Sequence, residues 1–196
     1  MGKTKMTHFV RSIFAVSIII IAACSSGNQI LPVTPKVELS NSISIGAGRT
    51  LYIQVYDERS TDVVGYRDPN NKATVITSSP EMLDNIREKV EQAYTELGFE
   101  LIETKETVDI VLEIRLTELS YQRQSSGGIK DLRTGATFVA NSVMNDRVVD
   151  GTYRDGQTKD TIVKPSFEEN SKILNRHLDA ALSKLIADTR LVTDDW

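Results

Sequence analysis

The stretch Val108-Asp109-Ile110-Val111-Leu112-Glu113-Ile114-Arg115-Leu116-Thr117-Glu118-Leu119 decides the fold. Apolar side chains occupy every second position from Val108 to Leu116, and most positions between them are charged or carry a hydroxyl. This alternation is typical of a β-strand that buries one face in a core and leaves the other in water or against a partner. A long strand of an antiparallel or mixed sheet is therefore predicted here.

Further strands are predicted on both sides of this stretch. Residues 50–56 alternate in the same way, and residues 99–102 have the composition of a short strand. Residues 136–143 and 147–153 form two more strands around Asn145-Asp146, a pair suited to a tight hairpin turn. Residues 57–78 are polar and contain turn signals, so they are interpreted as one long loop.

Two amphipathic helices are predicted from caps and apolar spacing. Ser79 is placed as the N-cap of the first helix, Pro80 as its first residue and Gly98 as its C-cap. Ser166 and Glu169 have the spacing of a capping box at the start of the second. The expected buried stripes are Met82, Ile86, Val90, Ala93 and Leu97 in the first helix, and Phe167, Leu174, Leu178, Ala181, Leu182 and Leu185 in the second.

The order strand-helix-strand-strand-strand-helix predicts an α+β fold, in which an antiparallel or mixed sheet carries two helices packed on one face. Residues 49–190 supply this single domain. Residues 24–48 contain Ser25, Ser26, Pro32 and Pro35 and are interpreted as an extended tether. Within it, residues 33–39 alternate weakly, which leaves open that they dock as an edge strand. Residues 191–196 are interpreted as a polar C-terminal tail.

The N-terminus has the layout of a secretory signal peptide. Three basic residues precede an apolar run over residues 13–23, which is too short to span a membrane. The run ends in Ile21-Ala22-Ala23-Cys24, which resembles the lipobox of bacterial lipoproteins. The resemblance implies cleavage before Cys24, diacylglycerol on its thiol and acylation of the new amine. It also implies, since Ser25 follows, a place on the periplasmic face of the outer membrane. A soluble secreted protein is the alternative.

Composition excludes several kinds of function. Residues 1–23 hold three of the 23 basic residues and none of the 27 acidic ones, so their removal changes the formal charge from −4 to about −7. An acidic surface argues against a nucleic-acid partner and against a basic membrane-binding face. Cys24 is the only cysteine, so once it carries lipid no thiol remains for catalysis, disulfides or metal binding. No cofactor or metal is expected.

The sequence contains few features that are typical of an enzyme. His177 is the one histidine beyond the signal peptide, and no G-x-S-x-G, H-E-x-x-H or P-loop motif occurs. A non-enzymatic protein is therefore expected. A hydrolase is the weaker alternative, and it requires Asp57, Glu58, Asp68 or His177 to converge in one cleft.

The candidate site is the 57–78 loop, through Asp57, Arg59, Gly65, Tyr66 and Arg67. The two arginines are suited to binding a carboxylate or phosphate, and Tyr66 to stacking on a ring. In the structural alternative, Asp57 pairs with Arg59 or Arg67 inside a folded turn.

The order of motifs along the chain resembles that of the YajG family of Gram-negative lipoproteins. The motifs are, in order, the lipobox, the prolines, Asp57-Glu58-Arg59, Gly65-Tyr66-Arg67 and a helix closed by Leu97-Gly98. That resemblance implies an envelope lipoprotein without an established activity. It makes Cys24 the lipid site and leaves the roles of the loop positions open.

The leading hypothesis is a lipid-anchored module that binds an envelope protein or a second copy of itself. The polar face of residues 108–119, extended by Tyr121, Arg123 and Gln124, offers one such surface. The alternative is a module that binds a small ligand, such as a cell-wall fragment or a sugar, at the 57–78 loop.

Overall fold

A computed structural model of the chain describes residues 28–37, 44–68, 71–126 and 129–194. Ten helices and strands lie in these ranges, together with a short 3-10 helix at Thr189–Leu191. The strands are β1 Gln29–Leu31, β2 Thr50–Asp57, β3 Val63–Asp68, β4 Asn71–Ser78, β5 Glu100–Leu101, β6 Ile110–Ser126, β7 Ile129–Met144 and β8 Arg147–Asp160. The helices are α1 Met82–Glu96 and α2 Phe167–Ile186.

The predicted α+β class is confirmed: one mixed sheet of eight strands carries both helices. β6, β7 and β8 form a long antiparallel meander, and β2 and β3 lie one after the other along the free side of β6, both parallel to it. β4 pairs with β3, and β1 adds to β4. The sheet is therefore built around β6, the strand predicted from the alternating stretch.

The core lies between the sheet and the helices. Ile110, Leu112, Ile114 and Leu116 are all fully buried, as the alternation predicts. The whole stripe predicted for α1 is buried as well. In α2 the stripe is buried except at Phe167, whose 44% exposure contradicts the prediction.

Local signals predicted the start of α2 and the turn of the β7–β8 hairpin correctly. Ser166 and Glu169 form the capping box, with the Ser166 hydroxyl accepting from the Glu169 amide and the Glu169 carboxylate accepting from the Ser166 amide. Asn145 and Asp146 both have positive φ, 47° and 62°, which the tight turn requires.

The start of α1 differs from the prediction. The helix begins at Met82, and its N-cap position, Glu81, makes no side-chain capping bond. Ser79 instead forms a turn, its carbonyl accepting from the Met82 amide at 3.1 Å. The end was predicted correctly, since Gly98 adopts φ 87° and closes the helix.

The interpretation of residues 57–78 as a loop is wrong. They contain the hairpin of β3 and β4, in which Val64, Thr74, Ile76 and Ser78 are buried. The β-branched residues of this segment supply the strand propensity, although polar neighbours obscure it in the sequence.

The interpretation of residues 24–48 as a tether also needs correction. Gln29–Leu31 pairs in parallel with β4, and Leu31 and Val33 are almost completely buried. The amide of Asn85 in α1 donates to the Val33 carbonyl at 2.7 Å. The folded domain thus includes residues from Gln29 onward, because alternate apolar side chains of this segment pack into the core.

The C-terminal tail is shorter than predicted. Leu191 and Val192 are fully buried, so the core extends past residue 190. Arg49 donates to the Val192 carbonyl at 2.6 Å, and Ser142 donates to the Leu191 carbonyl at 2.5 Å.

Candidate functional site

Arg59, one of the two predicted clamp residues, forms part of the architecture. Its Nε donates to Oδ1 of Asp57 at 2.8 Å and its Nη2 to Oδ2 at 2.7 Å, while Nη2 also reaches the Ser78 hydroxyl at 3.0 Å. Burial raises the pKa of Asp57, but the hydrogen bonds and the charge of Arg59 outweigh it and hold that pKa below its usual range. The pair joins the end of β2 to the end of β4, as the structural alternative proposed.

Gly65 has a steric role. It lies opposite Tyr121, at the single position where β3 and β6 pair. A Cβ atom built on Gly65 would lie 1.8 Å from the Tyr121 carbonyl oxygen, so glycine is required for the two strands to meet. Tyr66 and Arg67 follow on β3, where Tyr66 is half-buried.

An open groove lies around this contact. The groove has a volume of about 530 Å³ and is lined by Thr61, Val63, Val64, Gly65, Tyr66, Tyr121, Gln122, Arg123 and Gln124. One edge of β6 is covered by β7 through Ser126, whereas its opposite edge has no strand partner beyond Tyr121 among the described residues. Peptide groups on that edge are therefore available for hydrogen bonding.

Arg123 lines this groove with a buried guanidinium. The residue is only 4% exposed, and none of its Nε, Nη1 and Nη2 atoms has a hydrogen-bond acceptor among the described residues. Removing a charged group from water is costly unless a partner compensates it. The described residues therefore leave the Arg123 cation without the anionic partner that would compensate it.

Tyr121 adds a second polar group beside Arg123. Its hydroxyl is buried and has no hydrogen-bond partner among the described groups. Burial raises the pKa of Tyr121, although the nearby charges of Arg123 and Arg67 oppose that increase. The phenol stays protonated at neutral pH and can donate a hydrogen bond to the same anion.

The inward direction of Arg123 was not predicted. The sequence interpretation placed Tyr121 and Arg123 on the polar face of β6, whereas both face the core. A β-bulge shifts the β6–β7 register between Leu116 and Glu118, so the inward positions change from even to odd residue numbers. The switch from Leu116 to Leu119 in the apolar alternation was the signal for this bulge.

The outer face of β6 is covered with ion pairs. Glu113 accepts from Lys105 and from Arg115, each at 2.9 Å, and Arg115 also lies 3.2 Å from Glu58. The carboxylate of Asp109 accepts from the backbone amide and the hydroxyl of Thr50. These charges satisfy one another, so this face has less to offer a partner than the groove has.

The four side chains of the hydrolase alternative each have a separate partner. Asp57 binds Arg59, Glu58 lies against Arg115, Asp68 pairs with Lys164, and His177 binds Asp155. The described residues therefore form no cleft that combines them.

His177 joins α2 to the sheet. Its Nδ1 donates to Asp155 at 2.6 Å, and its Nε2 lies 2.8 Å from the Thr134 hydroxyl. This order of hydroxyl, imidazole and carboxylate resembles that of a hydrolase triad. However, His177 is 2% and Thr134 is 4% exposed, so the three groups form a buried connection between α2 and the sheet. Burial raises the pKa of Asp155, but hydrogen bonds from His177 and Lys184 bring it below its usual range.

Two observations concern the described ranges alone. They hold no group of three or more His, Cys, Asp or Glu side chains arranged to bind a metal ion. None of their helices has both the length and the apolar character needed to cross a membrane. Cys24, the predicted lipid site, lies outside the described residues.

The described residues thus form an α+β domain in which the guanidinium of Arg123 is buried without a partner. The chain belongs to a bacterial lipoprotein family, since residues 35–193 match the family described as "Uncharacterized lipoprotein". Membership indicates association with the cell envelope. No curated protein matches the chain in sequence.

Solved structures share the fold at low sequence identity. The protein XCC0632 from Xanthomonas campestris superposes with a TM-score of 0.58 at 15% identity, covering 84% of this chain and 95% of that one. An uncharacterised protein gives a TM-score of 0.44 at 12% identity, with 82% and 97% covered. A putative neuraminyllactose-binding hemagglutinin homologue from Helicobacter pylori gives 0.44 at 8% identity, with 81% and 92% covered. The likeness to XCC0632 supports the fold alone.

Proposed function

We propose that this protein is a non-enzymatic binding module, anchored by lipid on Cys24 to the periplasmic face of the outer membrane, as in the YajG family. Its partner is an extended segment of another envelope protein, which places a carboxylate against Arg123 in the groove between β3 and β6. The proposal moves the binding site from the predicted 57–78 loop to the adjoining strand β6, and it keeps Gly65 and Tyr66 as walls of the groove.

The buried guanidinium of Arg123 carries this proposal. Arg59 also has a buried guanidinium, but two of its nitrogens are engaged by Asp57. Arg123 has no such acceptor among the described residues. An arginine fork matches the two oxygens of a carboxylate, so an Asp or Glu side chain or a C-terminal carboxylate would complete the site.

The open edge of β6 favours a peptide partner. An extended segment can pair with free backbone groups of a strand while its side chains enter neighbouring pockets. Gln122 and Gln124 are exposed on β6 beside Arg123, at the rim of the groove. A peptide lying along this edge would therefore meet both backbone groups and a buried cation.

The second candidate is a small carboxylate-bearing ligand, such as a cell-wall fragment. Tyr66 lies in the groove wall and offers an aromatic face for stacking. This candidate uses the same Arg123 contact and differs in making no use of the strand edge.

Photo-crosslinking in living cells tests the proposal. A photoreactive amino acid replaces Gln124 in the full chain, and the control carries it at Gln92, which is exposed on α1. We expect a discrete protein adduct from position 124 only, and we expect Arg123→Met to remove it. Matching adducts from both positions, or an adduct that survives Arg123→Met, would contradict the proposal. An adduct with cell-wall material alone would favour the small-ligand candidate.

The anchor has its own test. Replacing Cys24 by serine removes the sulfur nucleophile that would take the lipid, so we expect an unprocessed precursor without lipid. Mass spectrometry of the N-terminal peptide measures this directly. Normal maturation of the variant would refute the lipid site.

A further inference from the structure

The first described residues run beside α2, starting at its N-terminal end. Gln29 accepts from Asn170 at 3.0 Å, the Thr34 amide donates to Asn175 at 2.8 Å, and the Lys36 amide donates to Asp179 at 2.7 Å. The two segments thus advance in the same direction. The chain that precedes Gln29 therefore joins the domain at the N-terminal end of α2.

The connection from this end to the anchor is short. Four residue steps separate Cys24 from Asn28, which is at most about 14 Å of fully extended chain. A tether of about two dozen free residues would have allowed a distance of roughly 80 Å between the anchor and the domain. Given the lipid on Cys24 that the proposed function assumes, the N-terminal end of α2 is held close to the bilayer.

The same end of the domain exposes apolar side chains. Ile162 is 98% exposed and Val163 75%, both in the connection from β8 to α2, and Phe167 in the first turn of α2 is 44% exposed. Ile162, Val163 and Pro165 line an open groove of about 550 Å³ that continues onto the buried Leu132. These three exposed side chains, Ile162, Val163 and Phe167, are called the apolar tip below.

Charged side chains of both signs surround the apolar tip. Lys159, Lys164 and Lys172 line the same groove, with Asp160 and Glu169 among them. Lys164 pairs with Asp68, and Lys172 pairs with Glu168, a pair in which both side chains are well exposed. A surface with exposed apolar side chains inside a charged rim can bury its apolar part at the interface of a bilayer.

We propose that the apolar tip is a membrane-contact surface, which inserts Ile162 and Val163 into the interface of the bilayer that holds the Cys24 lipid. A bilayer is the occupant because the anchor, four residue steps from Asn28, brings this end of the domain to it. The contact fixes the orientation of the domain, with α2 pointing its N-terminus at the membrane. A domain on a long flexible tether would have no fixed orientation relative to the membrane.

Depth-dependent fluorescence quenching tests this inference. The natural chain has one cysteine, Cys24, so a new cysteine is the only free thiol once the lipid is attached. Lipidated Ile162→Cys is labelled with an environment-sensitive fluorophore and reconstituted in vesicles of phosphatidylethanolamine and phosphatidylglycerol, with or without spin-labelled lipid. Substitution at residue 162 leaves the core intact, because the side chain is 98% exposed.

Val148→Cys is the matched control. Val148 is also β-branched and is 59% exposed, but it lies near the start of β8, roughly 40 Å of strand away from the apolar tip. We expect spin-labelled lipid to quench the label at position 162 at least about threefold more than the label at 148. Equal quenching at the two positions would overturn the inference. Disulfide dimers through residue 162 in the unlabelled variant, without lipid quenching in the labelled one, would also overturn it and would show that a second copy covers the tip.

The lipid state of each sample separates this inference from the proposed function. Lipid on Cys24 without quenching at position 162 would overturn the membrane contact and leave the groove proposal standing. An unmodified Cys24 would overturn both the anchor and the contact. Loss of partner capture in Arg123→Met concerns the groove alone.

Discussion

Gly65 of β3 lies opposite Tyr121 of β6, where a Cβ atom on residue 65 would come within 1.8 Å of the Tyr121 carbonyl oxygen. This is the one register position that β3 and β6 share, and both residues line the groove. Beyond Tyr121, this edge of β6 has no strand partner among the described residues. The geometry of the groove therefore depends on the absence of a side chain at Gly65.

Gly65→Ala should destabilise the protein by about 2–3 kcal/mol, because one strand must move away from the other to admit the methyl group. The control is Gly135→Ala in β7, where the nearest atom to a new Cβ is the Asp155 carbonyl oxygen at 3.1 Å. The loss of stability in Gly135→Ala should stay near 1 kcal/mol, because the new methyl group is less crowded there. Urea unfolding measures both, and equal costs would show that the β3–β6 contact tolerates a side chain.

Arg59→Met should destabilise the protein by about 1–3 kcal/mol, since Asp57 and Ser78 lose a hydrogen-bond donor. The expected loss of stability is smaller than for a fully buried ion pair, because the Asp57 side chain is 29% exposed. Unfolding in urea at neutral pH provides the measurement. A change below about 0.5 kcal/mol, the range of ordinary surface substitutions, would mean that the pair is dispensable.

Asp188 should make stability depend on pH. Hydrogen bonds from Arg190 lower the pKa of Asp188, burial opposes them, and the Tyr153 hydroxyl adds to the lowering at 2.7 Å. The pKa in the folded protein thus lies below that in the unfolded chain, near 4. The stabilisation is complete above pH 4 and is lost as pH falls through the folded pKa.

Asp188→Asn should consequently be less stable than the natural protein at neutral pH, and the difference should shrink as pH falls from about 4 to 2. Urea unfolding across that range measures it. Asp84→Asn is the control, because that side chain is 79% exposed and its replacement should change stability by less than about 0.5 kcal/mol. A difference in stability between Asp188→Asn and the natural protein that stays constant down to pH 2 would contradict the lowered pKa of Asp188.

Leu191→Ala should cost about 2–4 kcal/mol of stability, because Leu191 is fully buried beyond the end of α2. Ile162→Ala, at a site 98% exposed, should cost less than about 0.5 kcal/mol. Thermal unfolding compares the two. A small effect at Leu191 would restore the interpretation of residues 191–196 as a tail outside the core.

Elements with strong local signals were predicted from the sequence. The alternation up to Leu116, the capping box of Ser166 and Glu169, and the Asn145-Asp146 turn all act between near neighbours. Such signals reflect preferences of a few consecutive residues, so they do not depend on where the rest of the chain lies.

Elements that depend on distant partners were not predicted. β1 becomes a strand because Gln29 pairs with Ile76, 47 positions along the chain, and no local pattern indicates that contact. The groove was missed for a related reason: one bulge after Leu116 turns Arg123 from the polar face to the core. Arg59 was predicted to clamp an anion, but the carboxylate of Asp57 already binds it.

The free energy of unfolding of Arg123→Met tests the central claim most directly. A buried arginine that has no partner in the free protein lowers its stability. We therefore predict that Arg123→Met stabilises the free protein by about 1–2 kcal/mol and abolishes capture of the partner. Arg59→Met, which removes a paired guanidinium of similar burial, changes stability in the opposite direction. Destabilisation of Arg123→Met by as much as Arg59→Met would contradict the account, because Arg123 would then be a structural residue.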